Sequence, residues 1–323
     1  MKEYNQYNRK SIFNISFGIL RLYLSFLVVN THCFDSFTFF IQNKYILLLL
    51  VNPIHVPLFY IISFYMCFNL FESRNIDKIK LRFQRLLIPY LLWPIIIFLF
   101  NKLYNLIFGI NLYTNSFNCF KFQLLTGHCS IPVLWFHFNL ILTTFLITVV
   151  VLLLNRNKIF IMINIFILFY ILQYSNINYN YFINFGYLTM YSFGRFFEIV
   201  PFCISGYIMA FLNIIHYLKI YRIKAIYLFS LIIIFLIKYS IISSNLLGFG
   251  YQGINLHAKS ICIFILFSLF SFEKIENKNI INVIKLLSKQ TPGIYYLHYP
   301  IYLYLNNYIF PIKKKTLFCS LII

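Results

Sequence analysis

Arg21 and His32 are the residues of this chain whose types and spacing most directly suggest chemistry. They lie eleven positions apart in an apolar segment that reads FGILRLYLSFLVVNTH over residues 17–32. Eleven helical steps bring two side chains to within roughly 20° of one face, about 16 Å apart along the axis. An arginine can hold a carbonyl oxygen or a phosphate with its planar fork. A histidine can exchange protons near neutral pH and take one from an attacking hydroxyl.

A second arginine pair, Arg82 and Arg85, lies in the segment KIKLRFQRLLIPYLLW over residues 78–93. Residues three apart are neighbours on a helix face. The pair precedes a long apolar run, at what we predict to be its cytoplasmic mouth. It is typical of a site for an anionic cytosolic ligand, such as the phosphates of coenzyme A. The alternative for this pair is ordinary positive-inside anchoring. Arg21 and His32 also have a structural alternative, in which Arg21 extends to the lipid headgroups and His32 caps the outer end of the helix.

The composition of the chain is that of a membrane protein. Of its 323 residues, 61% are hydrophobic and only 11% are charged, and the mean hydropathy is +0.79. A soluble domain carries about 25% charged residues. The net charge of +20 would suit a nucleic-acid-binding protein, but the basic residues lie in short loops between apolar runs, which is the positive-inside pattern. We therefore predict a lipid bilayer as the environment and no nucleic-acid partner.

Nine apolar segments approach the roughly 20 residues that a membrane-spanning helix needs. A tenth run over residues 316–323 breaks off with the chain. We expect an all-α polytopic fold with nine full spans plus a truncated tenth, forming a single integral-membrane domain over residues 1–323. The nine segments are 12–31, 53–71, 86–108, 134–154, 159–175, 194–212, 225–244, 258–272 and 291–310.

The distribution of basic residues predicts the orientation. With the N-terminus in the cytoplasm, most of the 27 basic residues fall in cytoplasmic loops, as the positive-inside rule requires. Lys313, Lys314 and Lys315 fall on the outer side and oppose this orientation. No cleavable signal peptide is apparent. We expect an integral protein of a bacterial inner or plasma membrane, with these loop residues inside: Lys2, Arg9, Lys10, Arg74, Lys78, Lys80, Arg82, Arg85, Arg156, Lys158, Lys219, Arg222, Lys224, Lys274, Lys278, Lys285 and Lys289.

Other polar residues in or near the apolar segments have simpler interpretations. Arg195 and Glu198 are spaced i,i+3 and are expected to form an intrahelical ion pair, with a polar acceptor site as the alternative. His298 is expected to be a buried histidine with a hydrogen-bond partner. His55 and His257 are expected at the membrane interface.

The cysteines give no sign of a metal centre. The seven cysteines include no C-x-x-C pair. His128 lies with Cys119 and Cys129 in the longest external loop, where a disulfide is an alternative, but the spacing matches no recognised ligand pattern. We therefore predict no bound metal.

Several segments together resemble the integral-membrane acyltransferase 3 family, the O-acyltransferases of surface polysaccharides. Arg-x10-His in the first span and Arg-x-x-Arg leading into the third are the most specific of them. The resemblance runs in order over about residues 12–310. Phe64 stands where the family usually has Gly, and His137 replaces a usual apolar residue. The other supporting segments are VPLFYIISFY from residue 56, RLLIPYLLW from 85, LWFHFNL from 134, PFCISGY from 201 and PGIYYLHYP from 292.

The resemblance implies a reaction and roles for four residues. The reaction is transfer of an acyl group, usually acetyl, from cytosolic acyl-CoA to a hydroxyl of a cell-surface or exported glycan. His32 would act as general base or transient acyl relay, and Arg21 would polarise the thioester carbonyl or bind the coenzyme. Arg82 and Arg85 would hold the phosphates of acetyl-CoA, which is the donor substrate rather than a permanently bound cofactor.

Two other functions remain open from the sequence. The first is a transporter or flippase for a lipid-linked glycan or other anion, because Arg21, Arg195, Glu198 and Lys238 place charges inside apolar segments. The second is an inactive family member that serves as an assembly partner. Phe64 in place of the usual glycine and the short last span favour this alternative.

Overall fold

The computed structural model describes residues 15–29, 54–109, 134–154, 157–174, 187–242, 254–270, 277–291, 293, 294, 296 and 297. Within these ranges the regular structure is entirely helical, which confirms the predicted all-α class. Ten helices occur there: α1 (Ile15–Val29), α2 (His55–Glu72), α3 (Ile76–Phe108), α4 (Trp135–Leu153), α5 (Lys158–Tyr174), α6 (Tyr187–Phe211), α7 (Ile214–Ile220), α8 (Arg222–Ile242), α9 (Ile254–Leu269) and α10 (Lys278–Lys289).

The helices follow the predicted apolar segments closely. Each of the first eight segments overlaps one helix, in the order α1 to α6, then α8 and α9. Most of the ninth segment, 291–310, lies outside the described residues. The helices α7 and α10 were not predicted.

Two of the described helices are long and apolar enough to cross a membrane, namely α3 over Ile76–Ile107 and α4. A third candidate is α6 together with α7, which form one apolar unit bent by 57° at a short break. Many apolar side chains of α3 are exposed, among them Ile88, Leu99 and Leu106. An apolar surface of this extent belongs against lipid tails. The protein is therefore an integral membrane protein.

The third helix begins well before its apolar part. Its first residue is Ile76 rather than residue 86, because the side chain of Asn75 accepts a hydrogen bond from the Lys78 backbone N–H at 3.0 Å and Asp77 lies in the first turn. An asparagine N-cap and an acidic first turn both stabilise a helix start. The helix ends at Gly109, whose positive φ of 70° suits a glycine cap. At about 1.5 Å per residue, its 33 residues reach about 50 Å, beyond the roughly 30 Å of bilayer hydrocarbon.

The second helix lies at the centre of the described part of the bundle, where it contacts α3, α4, α6 and α9. It approaches α6 closely at Gly206, where a Cβ would come within 2.4 Å of the Ile61 carbonyl oxygen. The Tyr60 hydroxyl also donates to the Phe136 carbonyl of α4 at 2.7 Å. A missing side chain lets two membrane helices approach closely. Gly206 thus fixes the position of α2, which carries the candidate site.

Candidate functional site

Arg21 reaches from α1 to the surface of α2. Its Nη2 donates to the Met66 sulfur at 3.5 Å, and the side chain is partly buried. The backbone carbonyl of Arg21 accepts from the Ser25 hydroxyl at 2.9 Å. A thioether is a weak acceptor, so Met66 leaves most of the hydrogen-bonding capacity of the guanidinium for another partner.

Arg82 reaches into the bundle from α3 and contacts two other helices. Its Nη1 donates to the Cys67 sulfur, and its Nη2 lies 3.2 Å from the Ser63 hydroxyl and 3.4 Å from the Thr144 hydroxyl of α4. Its Nε is buried and has no hydrogen-bond partner among the described residues. A buried donor without a partner is costly, so this atom marks a place where an acceptor would be favourable.

The two arginines meet on one face of α2. Their charges are close enough to interact with each other, and the charge of Arg21 also acts on Cys67. In the part of the chain that the structure describes, no carboxylate forms an ion pair with either guanidinium. Two adjacent positive charges without a counter-ion favour an anion between them. We call this the two-arginine site, and it comprises Arg21, Ser63, Met66, Cys67, Arg82 and Thr144.

Aromatic rings form the wall of this site next to Arg82. The guanidinium carbon of Arg82 lies 5.4 Å from the ring centroid of Phe64 and 5.8 Å from that of Phe71. The two rings stack on each other at 6.1 Å with an angle of 5° between their planes, and both are fully buried. A cation over aromatic faces is held in place. Phe64 and Phe71 therefore position Arg82.

The predicted pair Arg82 and Arg85 separates in the structure. Arg82 is partly buried against α2 and α4, whereas Arg85 is exposed. Only Arg82 joins Arg21. His32, the other half of the first predicted pair, lies outside the described residues, as does His298.

A second polar cluster closes the same end of α2, one turn beyond the site. Glu72 accepts hydrogen bonds from the Lys158 ammonium of α5 and the Tyr207 hydroxyl of α6. Arg74 follows in the left-handed conformation and donates to the Val151 carbonyl of α4 at 3.3 Å. This cluster joins four helices next to the two-arginine site and so holds its end of the bundle together.

The remaining sequence predictions have mixed outcomes. Arg195 and Glu198 form the expected intrahelical ion pair at 2.7 Å, with both residues buried. His55 and His257 are both buried within the protein, and their predicted place at the membrane interface stays a prediction. His257 packs against helix α6, where its Nε2 lies 2.8 Å from the Ser205 hydroxyl. A hydrogen-bond partner on a neighbouring helix offsets the free-energy cost of burying the imidazole. The spacing of residues in the sequence does not reveal such a partner.

The contacts of Cys67 and Thr144 were missed from the sequence. Ser63 and Cys67 are spaced i,i+4 and therefore share a face of α2, which is a weak signal that the segment has a polar face. No signal within the sequence joins that face to Arg82, nineteen residues away, or to Thr144 on another helix. The site is made by packing between helices.

The described residues therefore belong to a helical integral membrane protein with a partly buried cationic site. The acyltransferase 3 family model, described as an acyltransferase domain, matches residues 14–322. The chain therefore belongs to the acyltransferase 3 family, and it is an acyltransferase that acts in the membrane. No curated protein and no solved structure matches it.

Proposed function

We propose that this protein moves an acyl group, most simply acetyl, from cytosolic acyl-CoA to a hydroxyl of a cell-surface or exported glycan. The observation that carries the proposal is the meeting of Arg21 and Arg82 on α2 within a family match that covers residues 14–322. The donor is the strongest part of the inference, because coenzyme A combines several phosphates with a thioester carbonyl. Guanidinium groups suit both.

In the proposed binding mode, each arginine contacts a different part of the coenzyme according to its depth in the site. Arg85 is exposed at the start of α3, beside the exposed Lys78 and Lys80, and would hold phosphates at the mouth of the site. Arg82 would bind the coenzyme further in, and Arg21 would polarise the carbonyl of the thioester. His32 would take the proton from the acceptor hydroxyl.

The proposed arrangement in the membrane follows the sequence prediction. A single domain over residues 1–323 would cross the membrane with nine full spans, with a cytoplasmic N-terminus in a bacterial inner membrane. The exposed basic residues at the start of α3 support this orientation, since positive-inside sequences hold such residues in the cytoplasm. The donor would then enter at the cytoplasmic end and the acceptor hydroxyl would meet His32 further out.

Surface glycans provide the test in cells. Mass spectrometry of glycans from cells with and without the gene should show acyl esters that disappear on deletion and return with the wild-type gene. Complementation with Arg82→Ala or His32→Ala should fail to restore them. Full restoration by His32→Ala would remove the histidine from the mechanism. Glycans with identical ester content in both strains, in a strain that makes the protein, would contradict the proposed acceptor.

A further inference from the structure

We propose that Cys67 is a covalent acyl acceptor, so that transfer runs through an S-acyl-Cys67 intermediate. The inference rests on the proposed function, because the acyl group would come from the coenzyme thioester bound at the two-arginine site. It adds a nucleophile to that site and makes the reaction a two-step exchange in place of a direct transfer.

The surroundings of Cys67 are those of a reactive thiol. The Nη1 of Arg82 donates to its sulfur, and the charge of Arg21 acts on it as well. Reactive cysteines lie in electropositive, partly exposed places. Cys67 is partly exposed, whereas the other two cysteines in the described ranges, Cys203 and Cys262, are buried.

A separate observation points to a ligand next to the thiol. The Nε of Arg82 is buried without a hydrogen-bond partner among the described residues. Neither arginine of the site forms an ion pair with a described carboxylate. When a thiolate attacks a thioester, the carbonyl oxygen takes up negative charge, and donors aimed at that oxygen stabilise the transition state. The Arg82 Nε–H, next to the thiol, is suited to share that role with Arg21.

The chemistry balances without any further reactant. The Cys67 sulfur attacks the thioester carbonyl carbon, a new carbon–sulfur bond forms, and the carbon–sulfur bond to coenzyme A breaks. The thiol proton of Cys67 ends on the coenzyme sulfur. In the second step the acceptor oxygen attacks the same carbon and the Cys67 bond breaks. The hydroxyl proton then returns to the Cys67 sulfur, and nothing is oxidised or reduced.

Exchange without an acceptor tests this intermediate. Wild-type protein in vesicles, given acetyl-CoA and labelled free coenzyme A, should exchange label between the two pools. With radiolabelled acetyl-CoA it should also carry acetyl on Cys67, released by neutral hydroxylamine and located by mass spectrometry. Cys67→Ala and the conservative Cys67→Ser should lose both signals. Cys262→Ala, which removes a buried thiol from α9, should keep both.

The outcomes separate the inference from the proposed function. If wild-type protein acylates the glycan without coenzyme exchange, or Cys67→Ala acylates it at the wild-type rate, the inference is overturned and the proposed function stands. If wild-type protein neither binds coenzyme A nor acylates any glycan, both fall. If neither Cys67 variant folds, the labelled site in wild-type protein decides: acetyl on Cys67 supports the inference, and acetyl on another residue overturns it.

Discussion

Arg82 connects three helices through a single side chain. It extends from α3, contacts Ser63 and Cys67 of α2, and reaches Thr144 of α4, while Phe64 and Phe71 lie against its charge. Arg85, one turn later on the same helix, is exposed. At the scale of residues, two arginines that look equivalent in the sequence therefore have different surroundings and should differ in function.

Arg82→Lys should weaken coenzyme binding far more than Arg85→Lys. A lysine keeps the charge but loses the planar fork that reaches several acceptors. Loss of hydrogen bonds to a charged group costs about 1.5–3 kcal/mol, or roughly a tenfold to hundredfold rise in Kd. Isothermal titration of the two variants with acetyl-CoA measures the difference. Equal affinities for the two variants would contradict the distinct role of Arg82.

Glu72→Gln should destabilise the end of the bundle next to the site. The change removes the ion pair with Lys158 and weakens the bond from Tyr207. Both partners of the ion pair are mostly buried, and we expect a loss of about 1–3 kcal/mol. Lys80→Gln is the matched control, because it removes a charge from an exposed position of α3. Thermal unfolding in detergent should show a lower Tm for the first variant alone, and an unchanged Tm would argue against the cluster's structural role.

The sequence could predict that arginines belong to the site, but not which of them meet. Arg21 is a charge in an apolar segment, which indicates function. Residues spaced i,i+3 lie about 60° apart on a helix, so at the margin of a bundle one turns inward and the other outward. Which one does so depends on the neighbouring helices. Cys67 was missed for the same reason, since its surroundings come from α1 and α3.

At the scale of elements, the contact between α2 and α6 fixes the face on which the arginines converge. Gly206 allows this contact because a Cβ there would lie 2.4 Å from the Ile61 carbonyl oxygen. Ser63 and Cys67 follow Ile61 on the same helix. Any movement of α2 away from α6 would therefore also move the acceptors of Arg82.

Gly206→Ala should lower both stability and activity. The added methyl group forces the two backbones apart, and overpacking of this kind costs about 1–3 kcal/mol. Gly293→Ala is the matched control, because nothing lies within 4 Å of its Cβ position. Measurements of Tm and acyl transfer on both variants provide the check. A Gly206→Ala protein with wild-type values for both would contradict the close packing.

Helix boundaries were only partly predictable. The apolar pattern placed the third helix from residue 86 because charged residues interrupt the apolar run before it. Asn75 followed by Asp77 is a recognised helix start, and it explains the true beginning at Ile76. Helix α10 was not predicted, because its lysines interrupt the apolar run that a membrane-spanning helix would show. It is an amphipathic helix capped by Asn277.

At the scale of the whole molecule, α3 carries the features that bear on the proposed orientation in the membrane. Its first turns carry exposed basic residues, and its later turns expose apolar side chains. If the N-terminus is cytoplasmic, we expect Lys80 inside and the residues that follow Gly109 outside. In the proposed orientation, cytosolic coenzyme would first meet the exposed basic residues at the start of α3.

Cysteine labelling of intact cells tests this orientation. In a variant whose native cysteines are replaced by serine, Ser116→Cys should react with a membrane-impermeant maleimide added outside. Lys80→Cys should react only after the cells are opened. The reverse pattern would contradict the N-in orientation and place the arginines away from cytosolic coenzyme.

The central claim is that this membrane protein carries an acyl group from coenzyme A to a glycan through the two-arginine site. The most direct measurement uses purified protein in vesicles with radiolabelled acetyl-CoA and a surface-glycan fraction from the source cells. We predict alkali-labile label on the glycan with wild-type protein and none with Arg82→Ala. Wild-type protein that binds acetyl-CoA but leaves every glycan fraction unlabelled, or an Arg82→Ala variant that labels glycan at the wild-type rate, would contradict the account.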